Sequence, residues 1–409
     1  MVKKAGHRMV TRVLILLLIA ALLSVAPMLA QDDGKPTIAI LRYGGTSLTS
    51  LAEKGILDMF EAYGLVNAQE RAVLNEAQDL EGEHINIIYG DAGFDIPTAN
   101  ILVKEAIDRG ADTLLTLSTP VSQIAANFTR QLDDPPALIF ATVSAPYFAG
   151  IADAPCIKDS HIAGTQTNVP YAEFVPLVKV QDPDASVIGA IVNLAEPNSL
   201  FGAEKITELA ESLGMRVEVA SVVAIADLSV ATAGLISSGA EAIVLPAGYT
   251  TSVGLPAITE TAEEYGGIPV FSIVAEHVYR GATVGADFYS LYREGVIAAR
   301  MLIARLNGDI DISRLSVNLT PGFTVAINLD AAAAAGVEIA DDLLAMADWT
   351  IQNGESTEGV TPDLPEYGIE LPDMPLEERR AADLEFLAEL YCTDEMIAEQ
   401  QAELAASSD

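Results

Sequence analysis

Short apolar runs alternate with longer amphipathic stretches along most of the chain. Residues 37–41 (TIAIL) read as a buried strand, a polar turn (RYGGTS, 42–47) follows, and a helix is predicted near 48–63. The runs HINIIYG (84–90), DTLLTL (112–117) and ALIFATV (137–143) repeat the strand pattern, with helices near 97–108 and 121–130 between them. Strands apolar on both faces suit a parallel sheet covered by helices. A polar stretch, 152–168, interrupts the rhythm and reads as a connection. The rhythm restarts with SVIGAIV (186–192), MRVEVASV (215–222), EAIVLP (241–246) and PVFSIV (269–274), separated by helices near 200–213, 227–237 and 253–264.

This pattern predicts an α/β protein of two Rossmann-like lobes with parallel sheets, lobe 1 over 36–151 and lobe 2 over 160–275. Pieces of 275–340, a short strand and helix and then a strand–helix pair, are expected to return to the sheets already made. Residues 345–409 read as an acidic Pro- and Gly-rich linker and a C-terminal helix near 376–391.

The first thirty residues differ from the rest. Lys3, Lys4, Arg8 and Arg12 precede an apolar run, and small residues precede QDDG, as in a secretory signal over 1–30 with cleavage after Ala30. An uncleaved anchor is the alternative, because 13–30 approaches membrane-spanning length. The rest of the chain is then expected to be soluble and extracytoplasmic, in the periplasm or at the cell surface.

Charge narrows the function classes. The chain carries 22 Lys+Arg against 58 Asp+Glu, a formal charge of -36. Neutralising a phosphate backbone needs clustered Lys and Arg, so nucleic acid is excluded as a partner, and an anionic membrane surface is disfavoured. Residues 351–409 hold 16 of the acids and two arginines, an enrichment within a diffuse excess. Four histidines and two cysteines, with no Cys-x-x-Cys pair, do not suit a Cys/His metal site. A Ser–His–Asp arrangement using His277 and Asp287 lacks a G-x-S-x-G elbow, and RYGG and PAGYT lack a following Gly-Lys-Ser/Thr. No catalytic group and no cofactor are expected.

In open α/β sheets, ligands sit at the carboxyl ends of strands, where helix N-termini offer free N–H groups. Arg42, Tyr43 and Thr46 follow the first strand, Ser118 and Thr119 the third, and Ser144 and Tyr147 the fourth. In the second lobe Asn198 and Tyr249 hold such positions, with Glu276 and Asp287 as acidic candidates. The hydroxyls and Asn198 equally suit helix caps, and Arg42 equally suits a bridge to an acid. Tyrosines in strand-end loops offer a flat apolar face with a polar tip, suited to clamping an organic solute.

Taken in order, STPVSQIAANFT (118–129), ATVSAPYFAG (141–150), NLAEPNS (193–199), GATVGADFY (281–289) and VAINLDAAAAAGVEI (325–339) resemble the ABC-transporter substrate-binding protein family that includes tryptophan and tyrosine binders. The resemblance covers about 36–340. It implies two lobes with a hinge, a small-molecule solute enclosed between them, and ABC permease membrane subunits as partners of a monomer. It places Thr46, Ser118, Thr119, Ser144, Asn198, Tyr249, Glu276 and Asp287 around the cleft. The chain departs from the family at Ala145 and at Gly248–Tyr249, where polar residues are usual, so an aromatic or more apolar solute suits it better than a generic amino acid. A sensory protein of the same fold, presenting its ligand to a membrane receptor, is the alternative. Outside the cytoplasm, Cys156 and Cys392 suggest one bridge stapling the C-terminal helix to the lobe junction, with two free thiols as the other possibility.

Overall fold

The structure, a computed structural model, describes residues 34–287, 291–320, 323–357 and 371–407. The expected signal segment 1–30 lies outside the described residues. The chain divides into 1–35 and a second unit, 36–409, which contains everything below.

The first sheet contains β1 (Thr37–Arg42), β2 (Leu80–Glu81), β3 (Asn86–Asp91), β4 (Thr113–Leu117), β5 (Ala137–Val143) and β6 (Ile162–Thr167). Its seventh strand is β12 (Asn318–Thr320), and the order is β12-β6-β5-β4-β1-β3-β2. All neighbours are parallel except β2 against β3. The second sheet contains β7 (Val187–Asn193), β8 (Arg216–Val222), β9 (Ala242–Leu245), β10 (Val270–Ser272) and β11 (Val284–Asp287). It is completed by β13 (Thr324–Asn328), β14 (Trp349–Gln352) and β15 (Glu355–Ser356), in the order β15-β14-β13-β11-β10-β9-β7-β8. Here β11–β13 and β14–β15 are antiparallel and the other pairs parallel. The two α/β lobes are those the pattern predicts, with a C-terminal helical extension.

Three boundaries differ from the sequence reading. The stretch 152–168 is not all connection, because β6 pairs with β5, so the first sheet extends past 160. Gly164 explains why β6 escapes notice: a Cβ there would lie 2.5 Å from the Phe140 carbonyl oxygen, so the strand needs a glycine where a β-branched residue would signal it. The segments after 275 divide between lobes. Helix Leu291–Leu306 packs against helix Ser47–Ala62 and β12 joins the first sheet, whereas β11 and β13 join the second. Beyond 345 the chain first adds β14 and β15 to the second sheet, and then forms two helices, Leu376–Glu389 and Asp394–Ser407, rather than one.

The extension is bound to the first lobe. Leu387 is buried in that lobe's core, Arg300 pairs with Asp383 at 2.7 Å, and the Tyr63 hydroxyl donates to Asp383 at 2.7 Å. The Cys392 N–H donates to the Arg314 carbonyl and Ser316 N–H to the Leu390 carbonyl, both at 2.7 Å. A Cys156–Cys392 disulfide, spanning 236 positions of sequence, closes the arrangement as expected. Among the described residues no helix is long and apolar enough to cross a membrane.

Candidate functional site

The lobes meet at the carboxyl ends of their strands. From the first lobe, β1 delivers Tyr43, which is buried and donates its hydroxyl to the Phe94 carbonyl at 2.9 Å. The rings of Tyr43 and Phe94 meet edge to face at 5.8 Å. From the second lobe, helix Tyr249–Val253 brings the Tyr249 ring to 5.6 Å from Tyr43 and 6.3 Å from Phe94. The Tyr249 hydroxyl donates to the Thr142 carbonyl at 3.4 Å, with the Ser118 hydroxyl also in hydrogen-bond reach. Burial pushes the phenols of Tyr43 and Tyr249 well above their ordinary pKa, so both remain donors. A second aromatic contact between the lobes, Phe148 on Phe201, is 5.7 Å.

Two strained residues face this junction. Ser118 has φ +97° and Thr142 has φ +55°, both in the region that favours glycine. Strain of this kind costs about 1–3 kcal/mol and persists only where the surroundings over-determine it. Glu294 supplies that determination at Thr142. Its fully buried carboxylate accepts from Thr142 N–H at 3.0 Å and from the Thr167 hydroxyl, at the end of β6, at 2.8 Å.

A second buried carboxylate orders the opposite wall. Glu196 accepts from Tyr249 N–H at 2.7 Å, from Thr250 N–H at 3.0 Å and from the Thr250 hydroxyl at 2.6 Å. A carboxylate on the first N–H groups of a helix satisfies donors that have no partner within the helix. Burial raises the Glu196 pKa, and these three hydrogen bonds oppose the rise.

Among the described residues of this region, Thr119 Oγ1, Thr142 Oγ1 and Asn198 Oδ1 are buried without a hydrogen-bond partner. Thr119 opens helix Thr119–Thr129, and Asn198 lies in the first turn of helix Pro197–Ser212, with its amide donating to the Ala247 carbonyl at 2.9 Å. A buried unsatisfied group costs about 1–3 kcal/mol, so their grouping at strand ends is itself informative.

The other candidates fall elsewhere. Arg42 is spent within the first lobe, on Asp91 at 2.6 Å and Glu53 at 2.9 Å, so it serves as the bridge rather than as a free cation. Thr46 caps helix Ser47–Ala62 in a reciprocal box with Thr49. Tyr147 packs on the first lobe's core, and burial raises its phenol to about 12. Ser144 lines a groove of about 410 Å³ with Gln166, Tyr171, Phe201 and Lys205, beside the main junction. Glu276 is buried in the turn Ala275–Arg280, where its charge acts on Arg280. Asp287 ends β11, but its side chain lies outside the described residues. His277 is buried with Nδ1 2.6 Å from the Ser272 hydroxyl; burial depresses its pKa to about 3, which makes it a neutral core group.

Sequence reasoning missed Phe94, Thr142, Glu196 and Glu294. Glu196 stands inside the NLAEPNS stretch. Glu294 shares the spacing of buried Ile297, Ala298 and Met301 on its helix, and a carboxylate on an apolar stripe was the available signal.

Comparison with known proteins places the chain in a family. The chain is 24% identical over 238 residues to a tyrosine-binding protein of Clostridioides difficile (strain R20291), covering 58% of this chain and 67% of the relative. Its fold matches an ABC domain from Streptococcus pneumonia solved in complex with L-Trp, with TM-score 0.67, 21% identity and coverage of 78% of this chain and 100% of that one. A ligand-free, open substrate-binding protein from Clostridium difficile matches with TM-score 0.54, 21% identity and coverage of 78% and 99%. The family model described as ABC transporter substrate binding protein matches residues 69–351. With that match spanning most of the chain and both lobes, the protein belongs to the ABC transporter substrate-binding protein family, whose members bind solutes and are not enzymes.

Proposed function

We propose that the protein closes its two lobes over a small aromatic solute, an aromatic amino acid being the class to test first, and presents it to the membrane subunits of an ABC permease. The carrying observation is the pairing of buried, unpartnered Thr119 Oγ1, Thr142 Oγ1 and Asn198 Oδ1 with the aromatic group Tyr43, Phe94 and Tyr249. A solute with a polar head and a flat ring satisfies both halves of that surface. Helices Thr119–Thr129 and Pro197–Ser212 each begin at the carboxyl end of a strand, and the positive end of a helix suits a carboxylate. The tyrosine and tryptophan named for the two relatives point to the same class.

Closure follows from differential affinity. A solute that touches both lobes binds the closed arrangement more tightly and shifts the population toward it. An extracytoplasmic setting, which family membership implies, agrees with the Cys156–Cys392 bridge.

Calorimetry with L-tyrosine, L-tryptophan and L-phenylalanine tests the reading, alongside native mass spectrometry of any copurifying solute. Thr119→Val and Asn198→Ala are each expected to weaken binding about tenfold, the effect of losing one buried hydrogen bond. If no aromatic compound binds or copurifies, or if both variants bind like the parent, the proposal fails.

A further inference from the structure

The RYGG turn (42–45) after β1 carries no phosphate-loop motif and its arginine is bridged, yet both of its glycines meet specific neighbours. A Cβ on Gly44 would lie 2.5 Å from the Phe94 ring carbons Cε1 and Cζ, so the ring occupies space that any other residue would fill. A Cβ on Gly45 would lie 3.1 Å from Arg42 Nη2, so the guanidinium packs against the turn itself. We propose that Arg42, Gly44 and Asp91 are positioning residues for solute binding: they hold the half-buried Phe94 ring in one place at the aromatic subsite, and solutes are selected against that fixed face. This rests on the solute-binding reading above and goes beyond it, because it assigns specificity to residues that act through another side chain.

Phe94 stands where a phenylalanine is costly to place. Its φ is +64°, directly after Gly93 at φ +57°, and a residue other than glycine persists there only where its surroundings over-determine it. The Phe94 N–H donates to the Tyr43 carbonyl at 2.8 Å, and the Phe94 carbonyl accepts from the Tyr43 hydroxyl at 2.9 Å. One residue earlier, Gly93 N–H donates to Asp91 Oδ1 at 2.8 Å, while Oδ2 of the same carboxylate accepts from Arg42 Nε at 2.6 Å. Ala92 N–H donates to the Arg42 carbonyl at 3.0 Å. Arg42 is in turn fixed by Glu53 at 2.9 Å and by the Tyr89 ring, whose centroid lies 5.4 Å from the guanidinium carbon. All of these contacts lie within the first lobe, so the place of the ring does not depend on how far the lobes have closed. A face held in this way discriminates by shape, because no binding energy goes into ordering it.

Gly44→Ala is the sharpest test, since the three atoms nearest the added methyl all belong to the Phe94 ring and the fold can yield by moving that ring alone. Gly44→Ala, Asp91→Ala, Phe94→Ala and the two double variants that include Phe94→Ala are first checked for native circular dichroism. Calorimetry with L-tyrosine, L-phenylalanine and L-tryptophan then reads affinity as a double-mutant cycle. Each single variant is expected to weaken the tightest of these ligands about tenfold. In the Phe94→Ala background, Gly44→Ala and Asp91→Ala are expected to change affinity by less than about twofold, because the ring they place is gone. A merely structural role does not produce that dependence, since a general loosening of the turn lowers affinity with or without the ring. Equal losses in both backgrounds overturn the proposal, as does parent-like affinity in Gly44→Ala or Phe94→Ala, and each of these results leaves solute binding itself standing. Should Gly44→Ala or Asp91→Ala not fold, the cycle of the other decides. If the parent binds none of the three ligands, the aromatic reading of the site falls and this proposal falls with it.

Discussion

Replacing Cys156 and Cys392 together with serine removes a cross-link whose ends are 236 positions apart. In the chain-entropy picture, freeing a loop of that length in the unfolded state costs about 5.5 kcal/mol of stability at 25 °C. A real denatured chain is more compact than the ideal one, which lowers the expected loss to about 2–4 kcal/mol. Residues 36–409 unfold with an entropy near 2.1 cal/mol/K per residue, so each kcal/mol shifts the midpoint by roughly 1.3 °C. The double variant is therefore expected to melt about 3–5 °C below the oxidised parent in scanning calorimetry, and the parent with reductant should approach it. The native fold should survive, because Leu387, the Arg300–Asp383 pair and the Arg314 and Leu390 carbonyl bonds still hold the extension. Identical midpoints for parent, reduced parent and double variant would refute the reasoning, as would two free thiols in the intact mass of the oxidised protein.

Three further outcomes follow from the same contacts. Glu196→Ala strands the N–H groups of Tyr249 and Thr250 and should cost about 2–4 kcal/mol in denaturant unfolding, whereas Glu196→Gln should keep part of the loss back by accepting through its amide oxygen. Thr142→Gly relieves a left-handed backbone at a cost in unfolded-state entropy, so stability should change by less than about 1 kcal/mol, while Glu294→Ala should lose several times that; equal losses would deny the strain. His277 stays neutral in the fold down to about pH 3, whereas in the unfolded chain it gains a proton below about 6.5. Between those values the unfolded state binds more protons, so the contribution of His277 is complete above pH 6.5 and falls as the pH drops toward 3. At pH 5 the loss is about 2 kcal/mol relative to pH 7, and His277→Gln should show a shallower decline in unfolding free energy over that range.

What the sequence discloses about this protein depends on burial. The strands β1, β4 and β5 are apolar on both faces, so TIAIL, DTLLTL and ALIFATV stand out at once. By contrast β6 reads as polar, because Gly164 has to admit Phe140 and its last residues, Gln166 and Thr167, are only half-buried. The strand β14 is four residues long and lies among acidic and glycine-rich neighbours, which hides it within an apparent linker. Positions at strand ends are legible in the same way: Tyr43, Ser118 and Tyr249 come together because topology sends strand carboxyl ends to one side of each sheet. Arg42 and Thr46 share that address, but satisfy local needs of the first lobe, and no spacing rule separates the two cases.

The two carboxylates that sequence reasoning missed act largely through backbone N–H groups. Glu294 recognises the N–H of a threonine held at φ +55°, and Glu196 recognises two N–H groups at a helix start. Neither the left-handed turn at Thr142 nor the direction of those N–H bonds follows from residue type, since threonine ordinarily avoids that conformation. A pair of buried carboxylates, one in each lobe, thus fixes the two surfaces that Tyr249 joins. For the closure proposed above the consequence is mechanical: the hydrogen bonds that order each wall lie within one lobe, so closing does not have to build them, and the energy of contact goes into selecting what lies between the lobes.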